Sequence, residues 1–353
     1  MAEVRVLPYH LCHCPVGGVP LQATLPPFTP DLRNINVRRF LVFASVVVGL
    51  VGVMLWFGGQ PERRYDGAAC QYQMIFHHAP EQGMGLVTLG GSRLRVSTNA
   101  RQFNAVLAEM QPDAVPMHNL SHSDYALEKE YILLRDLLEQ HTPKTVVVMI
   151  EPRGAAYGVV HPDYVNIARL SDIPLTIATL WPESRIGAIK AARDILLAHL
   201  EVFNRVGDPH RDTTPYDCDQ RDYRLNVPAL DEAAQKYDVA RASQLNWDVG
   251  ALDHAGFRRW MQAYRDISNA SGTEVIFLLI TGTSEPLPAP DFAAQFEAAF
   301  GLPLIVMDRD LHARLARMGN RDNHHMTPAG RAVFLPWLVD QIEQTCRRAD
   351  GCF

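Results

Sequence analysis

Residues 85–93 read GLVTLGGSR, a short apolar run that ends in two glycines, a serine and an arginine. The run predicts a strand over residues 85–89, and the small residues after it allow a sharp turn into a helix. Ligands of open α/β sheets bind where the strands end. Ser92 is therefore a candidate nucleophile, because a helix N-terminus offers free N–H groups to an alkoxide and its oxyanion. The alternative is that Ser92 is only the N-cap of the helix.

The alternation of apolar run and helix continues along the chain. Apolar and β-branched runs predict further strands, and amphipathic spacing predicts the helices between them. The predicted strands cover residues 114–118, 144–150, 274–280 and 304–307, and the predicted helices cover residues 100–110, 125–140 and 327–345. This pattern predicts an α/β fold in which a parallel sheet lies between two helical layers, a three-layer sandwich. We interpret residues 155–250, which interrupt the pattern, as an insertion.

Composition restricts the class of protein. The chain has 353 residues, of which 47% are hydrophobic, and a net charge of −6, which is typical of a globular protein. The mild acidity and the lack of an evident basic face argue against nucleic acid as a partner. Six cysteines are too few for a small disulfide scaffold. Among the four cysteines outside the N-terminal tail, Cys346 and Cys352 are the nearest pair, but the sequence does not fix the disulfide connectivity.

Residues 40–57 read FLVFASVVVGLVGVMLWF and contain no charged residue. At helical rise the run is about as long as a bilayer is thick, and a core helix would normally show a polar stripe that this run lacks. Trp56 and Phe57 suit the boundary between lipid and water. We predict one transmembrane helix over residues 40–58. The predicted organisation is an N-terminal tail over 1–39, this helix, a linker and lead-in over 59–83, and an α/β domain over 84–353.

Residues 322–330 read DNHHMTPAG, and they supply a candidate general base. A carboxylate three residues before an imidazole, as in Asp322 and His325, can hold the imidazole in one tautomer and stabilise its charged form. Thr327 and Pro328 predict a helix start, as N-cap and first helical residue, which would anchor the loop. The alternative is a surface loop with incidental histidines.

Residues 119–124 read NLSHSD and follow the second predicted strand, so they should lie at the same sheet edge as Ser92. Asn119 can donate an amide N–H to a developing oxyanion. The alternative is turn formation and helix capping by Ser123 or Asp124. The histidines show no paired metal-ligand spacing and the chain has no glycine-rich phosphate loop, so we expect neither a metal nor a cofactor.

Together the three motifs resemble the SGNH (GDSL-like) hydrolase superfamily, and within it the membrane-anchored members linked to acylation of cell-envelope polysaccharides or teichoic acids. Residues 90–93 resemble the nucleophile block, residues 119–124 the second block, and residues 322–330 the last block, Asp-x-x-His followed by Gly. The resemblance spans residues 84–345. It implies a flavodoxin-like parallel sheet, with Ser92 as nucleophile, His325 as general base and Asp322 as its orienting acid.

The chain departs from the family pattern around the oxyanion hole. Gly91 stands where the family has an aspartate, and Asp124 stands where the second block has a glycine. The third block's asparagine should follow the third predicted strand, but residues 150–153 read IEPR. Asn119 or Arg153 then acts as a substitute donor, or the oxyanion is less stabilised. Loss of one such donor typically costs about 100- to 1000-fold in rate.

The resemblance implies a membrane-anchored serine esterase or O-acyltransferase that acts on acylated cell-envelope glycans through an acyl-enzyme at Ser92. The implied partners are an acylated glycan or other ester substrate, the membrane, and a membrane-bound acyltransferase. The charges around the span give little orientation bias, and the resemblance favours a single pass through the inner membrane with the catalytic domain facing the periplasm or cell exterior. Because the third-block asparagine is missing, the alternative is a non-enzymatic, membrane-anchored partner of a polysaccharide acylation or export machine.

Overall fold

Five parallel strands form one sheet in the part of the chain that the structure, a computed structural model, describes. The described residues are 37–58, 69–77, 83–122, 125–151, 160–200, 254–282, 285, 287–318, 325–349 and 351–353. The strands are β1 (Leu86–Leu89), β2 (His118–Asn119), β3 (Thr145–Met149), β4 (Glu274–Leu279) and β5 (Leu304–Val306), in the order β2-β1-β3-β4-β5. The direction of the connections reverses between β1 and β3. Open α/β sheets bind their ligands at such a switch point.

Helices precede, connect and follow the strands. In chain order they are α1 (Val37–Gly58), α2 (Ala69–His77), α3 (Ser92–Ser97), α4 (Ala100–Met110), α5 (Leu127–Gln140), α6 (Pro162–Ile167), α7 (Ile173–Leu180), α8 (Arg185–Leu200), α9 (Ala255–Ser271), α10 (Phe292–Phe300), α11 (Arg309–Met318) and α12 (Pro328–Thr345). A 3₁₀ turn over Leu170–Asp172 leads into α7. The strand–helix alternation predicted for the chain is therefore present.

Both faces of the sheet are buried under helices. Successive strand residues point to opposite sides, so a strand contributes to two cores. Val146 and Val148 of β3 face a core built with α2, α5, α9 and α10. Val147 and Met149 of the same strand face a second core built with α3, α4, α11 and α12. The predicted α/β class, with a parallel sheet between two layers of helices, is confirmed.

Strand β2 is shorter and lies later than predicted. The sequence favours a strand over residues 114–118, whereas the structure pairs only His118 and Asn119 with β1. Asn104 of α4 explains the difference, because its side chain accepts from the Met117 N–H at 2.7 Å and donates to the Met117 carbonyl at 3.1 Å. The main chain before His118 is thus satisfied by a helix side chain instead of a neighbouring strand.

Helix α2 lies in a region predicted as linker and lead-in. Tyr72, Met74 and Ile75 are buried in the same core as α5. The Tyr72 hydroxyl donates to Asp136 Oδ2 of α5 at 3.0 Å. The packed part of the protein therefore includes residues well before the predicted start of the α/β domain at residue 84.

The described part of the predicted insertion is helical and is tied to α5 by ion pairs. Arg135 of α5 pairs with Asp172, and Arg169 pairs with Asp136 at 2.7 Å. Asp136 is fully buried, and burial raises its pKa even though two guanidinium groups face it. Residues 160–200 are thus held against the sheet-covering helix layer. The polar segment 208–248 lies outside the described residues.

The chain divides into two compact units, Met1–Gly49 and Leu50–Phe353. Of the first unit the structure describes residues 37–49, which belong to α1. Side chains are described for residues 39–53 of this helix, and almost all of them are exposed, including Phe40 and Phe43. No helix is both long and apolar enough to cross a membrane within the described residues.

The C-terminal residues are fixed to the sheet layer. Cys346 and Cys352 form a disulfide, with Cα atoms 6.1 Å apart. The ammonium group of Lys144, just before β3, donates a hydrogen bond to the Phe353 carbonyl at 2.6 Å. Of the three cysteines among the described residues, the two that are nearest in sequence are therefore joined.

Candidate active site

Ser92 lies at the carboxyl end of β1, as the first residue of α3. The N-cap of α3 is Gly91, which has an extended backbone and no side-chain cap. The interpretation of Ser92 as the N-cap is therefore wrong. Because the first N–H groups of a helix have no intrahelical partner, the backbone around Ser92 can stabilise negative charge near its hydroxyl.

The two glycines before Ser92 are required by close packing. A Cβ on Gly90 would lie 2.6 Å from the Met149 Cβ, and one on Gly91 would lie 2.8 Å from the Tyr125 Cβ and 2.9 Å from the Tyr125 N. Both separations are far below a carbon–carbon contact. The aspartate of the family pattern has no room at position 91, because the main chain of Tyr125 occupies that space.

His325 meets Ser92 across the sheet edge. The His325 Nε2 lies 3.0 Å from the Ser92 Oγ, although the two residues are 233 positions apart. Its loop is anchored as predicted, because Thr327 caps α12 by accepting from the Gly330 N–H at 3.1 Å and Pro328 is the first helical residue. With its proton on Nδ1, the imidazole can accept the Ser92 proton at Nε2. Buried Met326 fixes the same loop to the core beneath α12.

Two of the predicted site residues, Asp322 and Arg153, lie outside the described residues. The same is true of His324, Ser123 and Asp124. The roles of Asp322 as orienting acid and Arg153 as oxyanion donor stay predictions.

Asn119 is brought close to α3, but its amide faces protein carbonyls. Its Nδ2 donates to the Arg95 carbonyl at 3.2 Å and to the Thr98 carbonyl at 3.0 Å. Its Oδ1 accepts from the Thr88 hydroxyl at 3.1 Å and from the Ser121 N–H at 2.9 Å. The physical reason is that the last carbonyls of a short helix need donors from outside it. As placed here, Asn119 positions α3 instead of offering a hydrogen to an oxyanion.

Arg93 follows Ser92 and joins the ends of three strands, a role that sequence reasoning missed. Its guanidinium makes two hydrogen bonds to the Glu285 carboxylate, at 2.7 and 2.8 Å, and one to the Ile280 carbonyl at 3.1 Å. Glu151, directly after β3, approaches its Nε at 3.5 Å. Glu285 and Ile280 are almost two hundred residues away in the chain, so no local pattern could identify them. A charged residue beside the nucleophile was the only available signal.

A group of buried ionisable side chains lies behind the Ser92 turn. The main-chain N–H of His122 donates to the Gly90 carbonyl at 2.7 Å. The imidazole Nε2 of the same residue lies 2.8 Å from Oε1 of Glu130, which is fully buried. Burial raises the pKa of Glu128, whose Oε1 accepts from the His161 N–H at 2.7 Å. Desolvation also raises the pKa of Tyr125 well above its usual value, so the phenol stays protonated beside Gly91.

The described part of the site contains groups of the kind that acyl transfer uses. It presents a hydroxyl, an imidazole in hydrogen-bond contact with it, and a helix N-terminus at one strand end. Among the described side chains, no cluster of three His, Cys, Asp or Glu residues could hold a metal ion. The chain matches no protein-family model, and no curated protein is significantly similar to it.

Proposed function

We propose that the protein is a membrane-anchored SGNH-type serine esterase or O-acyltransferase that acts on acylated cell-envelope glycans. The observation that carries the proposal is the 3.0 Å contact between the Ser92 Oγ and the His325 Nε2. It lies at the carboxyl end of β1, beside the switch point of a sheet with the order β2-β1-β3-β4-β5. Both residues come from motifs that resemble the superfamily's first and last blocks.

The proposed mechanism is acyl transfer in two steps. His325 removes the Ser92 proton as the Oγ attacks an ester carbonyl, and the imidazolium then protonates the departing alcohol. An acyl-enzyme remains at Ser92. Water or a sugar hydroxyl then attacks the acyl-enzyme while His325 takes its proton. The imidazolium returns that proton to the departing Ser92 Oγ, which releases an acid or a new ester and regenerates the site. In this scheme Asp322 holds the imidazole, as the resemblance implies.

The chain differs from the family pattern in the residues expected to form the oxyanion hole. Asn119 already donates both amide hydrogens to α3 carbonyls, and Glu151 stands after β3 where the family has asparagine. The Ser92 N–H is then the first donor, with Arg153 as a further candidate. We expect turnover to be slower than in a complete site, since one donor contributes about 100- to 1000-fold.

The same difference favours a second candidate function, a non-enzymatic, membrane-anchored partner of a polysaccharide acylation or export machine. Such a protein would keep the fold and the Ser92–His325 contact without efficient oxyanion stabilisation. A membrane-bound acyltransferase is a partner that suits both candidates. It would supply or receive the acyl group of the enzyme, and it would be the catalytic component beside the non-enzymatic protein.

The proposed location is the inner membrane, with a single pass and the α/β domain facing the periplasm or cell exterior. Support comes from the uncharged run over residues 40–57 and from the exposed apolar side chains of α1. Residues of this kind are stable in lipid and costly in water. A tether at the bilayer suits a substrate that is made or exported there.

A serine-directed fluorophosphonate probe tests the proposed chemistry. The full-length chain should be labelled, and Ser92→Ala should remove labelling and lower turnover of an aryl acetate at least ~1000-fold, because the variant lacks the hydroxyl that contacts the base. His325→Gln should do the same. Ser97→Ala is the matched control, since Ser97 is the last residue of the same helix and is buried. Labelling that survives Ser92→Ala contradicts the assignment, and absent labelling of a folded parent favours the non-enzymatic candidate.

A further inference from the structure

Helix α8 exposes an apolar stripe on its outer side. Ile186 is 82% exposed, Ile189 61% and Leu197 42%, which is unusual for large aliphatic side chains. At 100° per residue these positions fall on one face of the helix. The opposite face carries Ala191 and Ile195, which are buried. The exposed stripe is therefore the side of α8 that points away from the protein interior.

Basic residues lie within this apolar stripe. Lys190 and Arg193 are exposed and fall between the isoleucines and Leu197 on the helix surface. Arg193 also pairs with its neighbour Asp194, at 2.5 Å, so part of its charge is balanced. An exposed face that combines aliphatic and cationic side chains is typical of a helix that lies in the plane of a membrane surface.

An exposed tryptophan lies in the short connection between α7 and α8. Trp181 follows α7 and is 44% exposed, and the guanidinium of Arg185 lies 5.7 Å from its ring centroid. Tryptophan is enriched at the boundary between lipid headgroups and hydrocarbon. Trp181 thus adds an aromatic side chain near one end of the stripe, and Arg185 is a third cation after Lys190 and Arg193.

We propose that the outer face of α8 (Trp181, Ile186, Ile189, Lys190, Arg193 and Leu197) contacts an anionic lipid surface. The contact would set the orientation of the α/β domain on the bilayer that holds the chain, so this inference rests on the proposed membrane anchoring. Charge complementarity selects the occupant, because Lys190 and Arg193 attract negative headgroups while the isoleucines enter the interface. A neutral protein surface would not need these cations.

Quenching of Trp181 by brominated lipids tests the contact. The full-length chain is reconstituted into phosphatidylcholine vesicles with or without phosphatidylglycerol, and the emission of Trp181 is taken as the difference between the parent and Trp181→Phe. We expect bromolipid to quench this emission in the anionic vesicles. The charge-reversal variant Lys190→Glu/Arg193→Glu should lose at least half of the quenching, as should molar salt, which screens surface charges.

The matched control is Arg314→Glu/Arg317→Glu, which makes the same charge change at exposed positions of α11. It should leave the quenching unchanged. Flotation of the same vesicles on a density gradient reports separately whether the chain is anchored. A chain that floats with Trp181 unquenched overturns the lipid contact and leaves the anchoring intact, and it indicates that protein covers this face. A chain that does not float overturns the anchoring itself. Equal loss of quenching in both variants also contradicts the proposal.

Discussion

Gly91 occupies a position where the side chain that the family pattern supplies cannot fit. The Tyr125 backbone lies where a Cβ would be, and the Tyr125 phenol stays protonated close by. Ser92 is thus held between a close main-chain contact on one side and His325 on the other. A hydroxyl held in this way loses little freedom on reaction, which is the usual contribution of a rigid site to catalysis.

Gly91→Ala tests this contact. The added Cβ would lie within 3.1 Å of three Tyr125 atoms, two of them backbone, so the Ser92 turn must shift. We expect the free energy of unfolding to fall by about 1–3 kcal/mol, as for overpacked cores, and probe labelling of Ser92 to slow. Gly52→Ala is the control, because a Cβ there has no neighbour within 4 Å. Equal stability and labelling of Gly91→Ala and the parent would show that the turn tolerates the side chain.

Individual site residues differ in how far the sequence could identify them. Ser92 follows a strand and opens a helix, and His325 lies just before a helix start, and local patterns find such places. The behaviour of Asn119 depends on which carbonyls the neighbouring helix leaves unsatisfied, and the contacts of Arg93 depend on a loop almost two hundred residues away. Long-range polar pairing carries no periodicity, so it cannot be derived from a single sequence.

Helix α3 has six residues and depends on other elements for its position. Arg93 ties its first turn to Glu285 and Ile280 beyond β4, and Asn119 holds its last turn beside β2. Isolated helices this short are not stable in water. The orientation of the Ser92 hydroxyl is therefore set by these polar contacts as well as by the buried Leu94.

A double-mutant cycle on Arg93 and Glu285 measures this tie. Arg93→Met or Glu285→Gln alone should destabilise by about 3–5 kcal/mol, because each removes the charged group that makes two hydrogen bonds to a buried charge. The double variant should lose less than the sum, with a coupling of about 0.5–3 kcal/mol, in urea unfolding of the full chain. The exposed pair Arg347 and Glu297 is the control, since such pairs contribute about 0–1 kcal/mol. Additive losses at Arg93 and Glu285 would contradict the coupling.

The secondary structure was predicted best where burial alone dictates it. Strands β3 and β4 are continuous apolar runs, and their observed bounds lie within one residue of the predicted ones. Strand β2 was displaced by hydrogen bonds from Asn104, and α2 was missed because its nine residues show no clear periodicity. Tertiary contacts decide such short elements, so local sequence underdetermines them.

Stability of the whole molecule should depend on pH through Glu128. Burial raises the pKa of this carboxyl above its usual value of 4.5, so the folded chain holds the proton more tightly than the unfolded chain. Between the two pKa values the native state binds more protons, and the free energy of unfolding therefore falls as pH rises through this window. The loss of stability that comes from burying the ionised Glu128 carboxylate is absent below about pH 4.5 and complete above the folded-state pKa.

Glu128→Gln removes this charge while it keeps an oxygen that can accept from the His161 N–H. We expect the variant to gain stability relative to the parent as pH rises above about 4.5, and to match it at lower pH. Thermal unfolding across a pH series measures the difference. Glu109→Gln, at an exposed position of α4, should follow the parent throughout. A constant offset between Glu128→Gln and the parent would mean that Glu128 titrates alike in both states.

The lengths of the outer strands have a consequence for self-association. Among the described strands, β2 pairs two residues with β1 and β5 pairs three with β4, while the inner strands pair four or five. Edge strands this short present few main-chain amide and carbonyl groups to another chain, which therefore gains little by adding a strand there. On the membrane surface that we propose for this protein, where many copies would lie close together, these short outer strands oppose sheet extension into fibres.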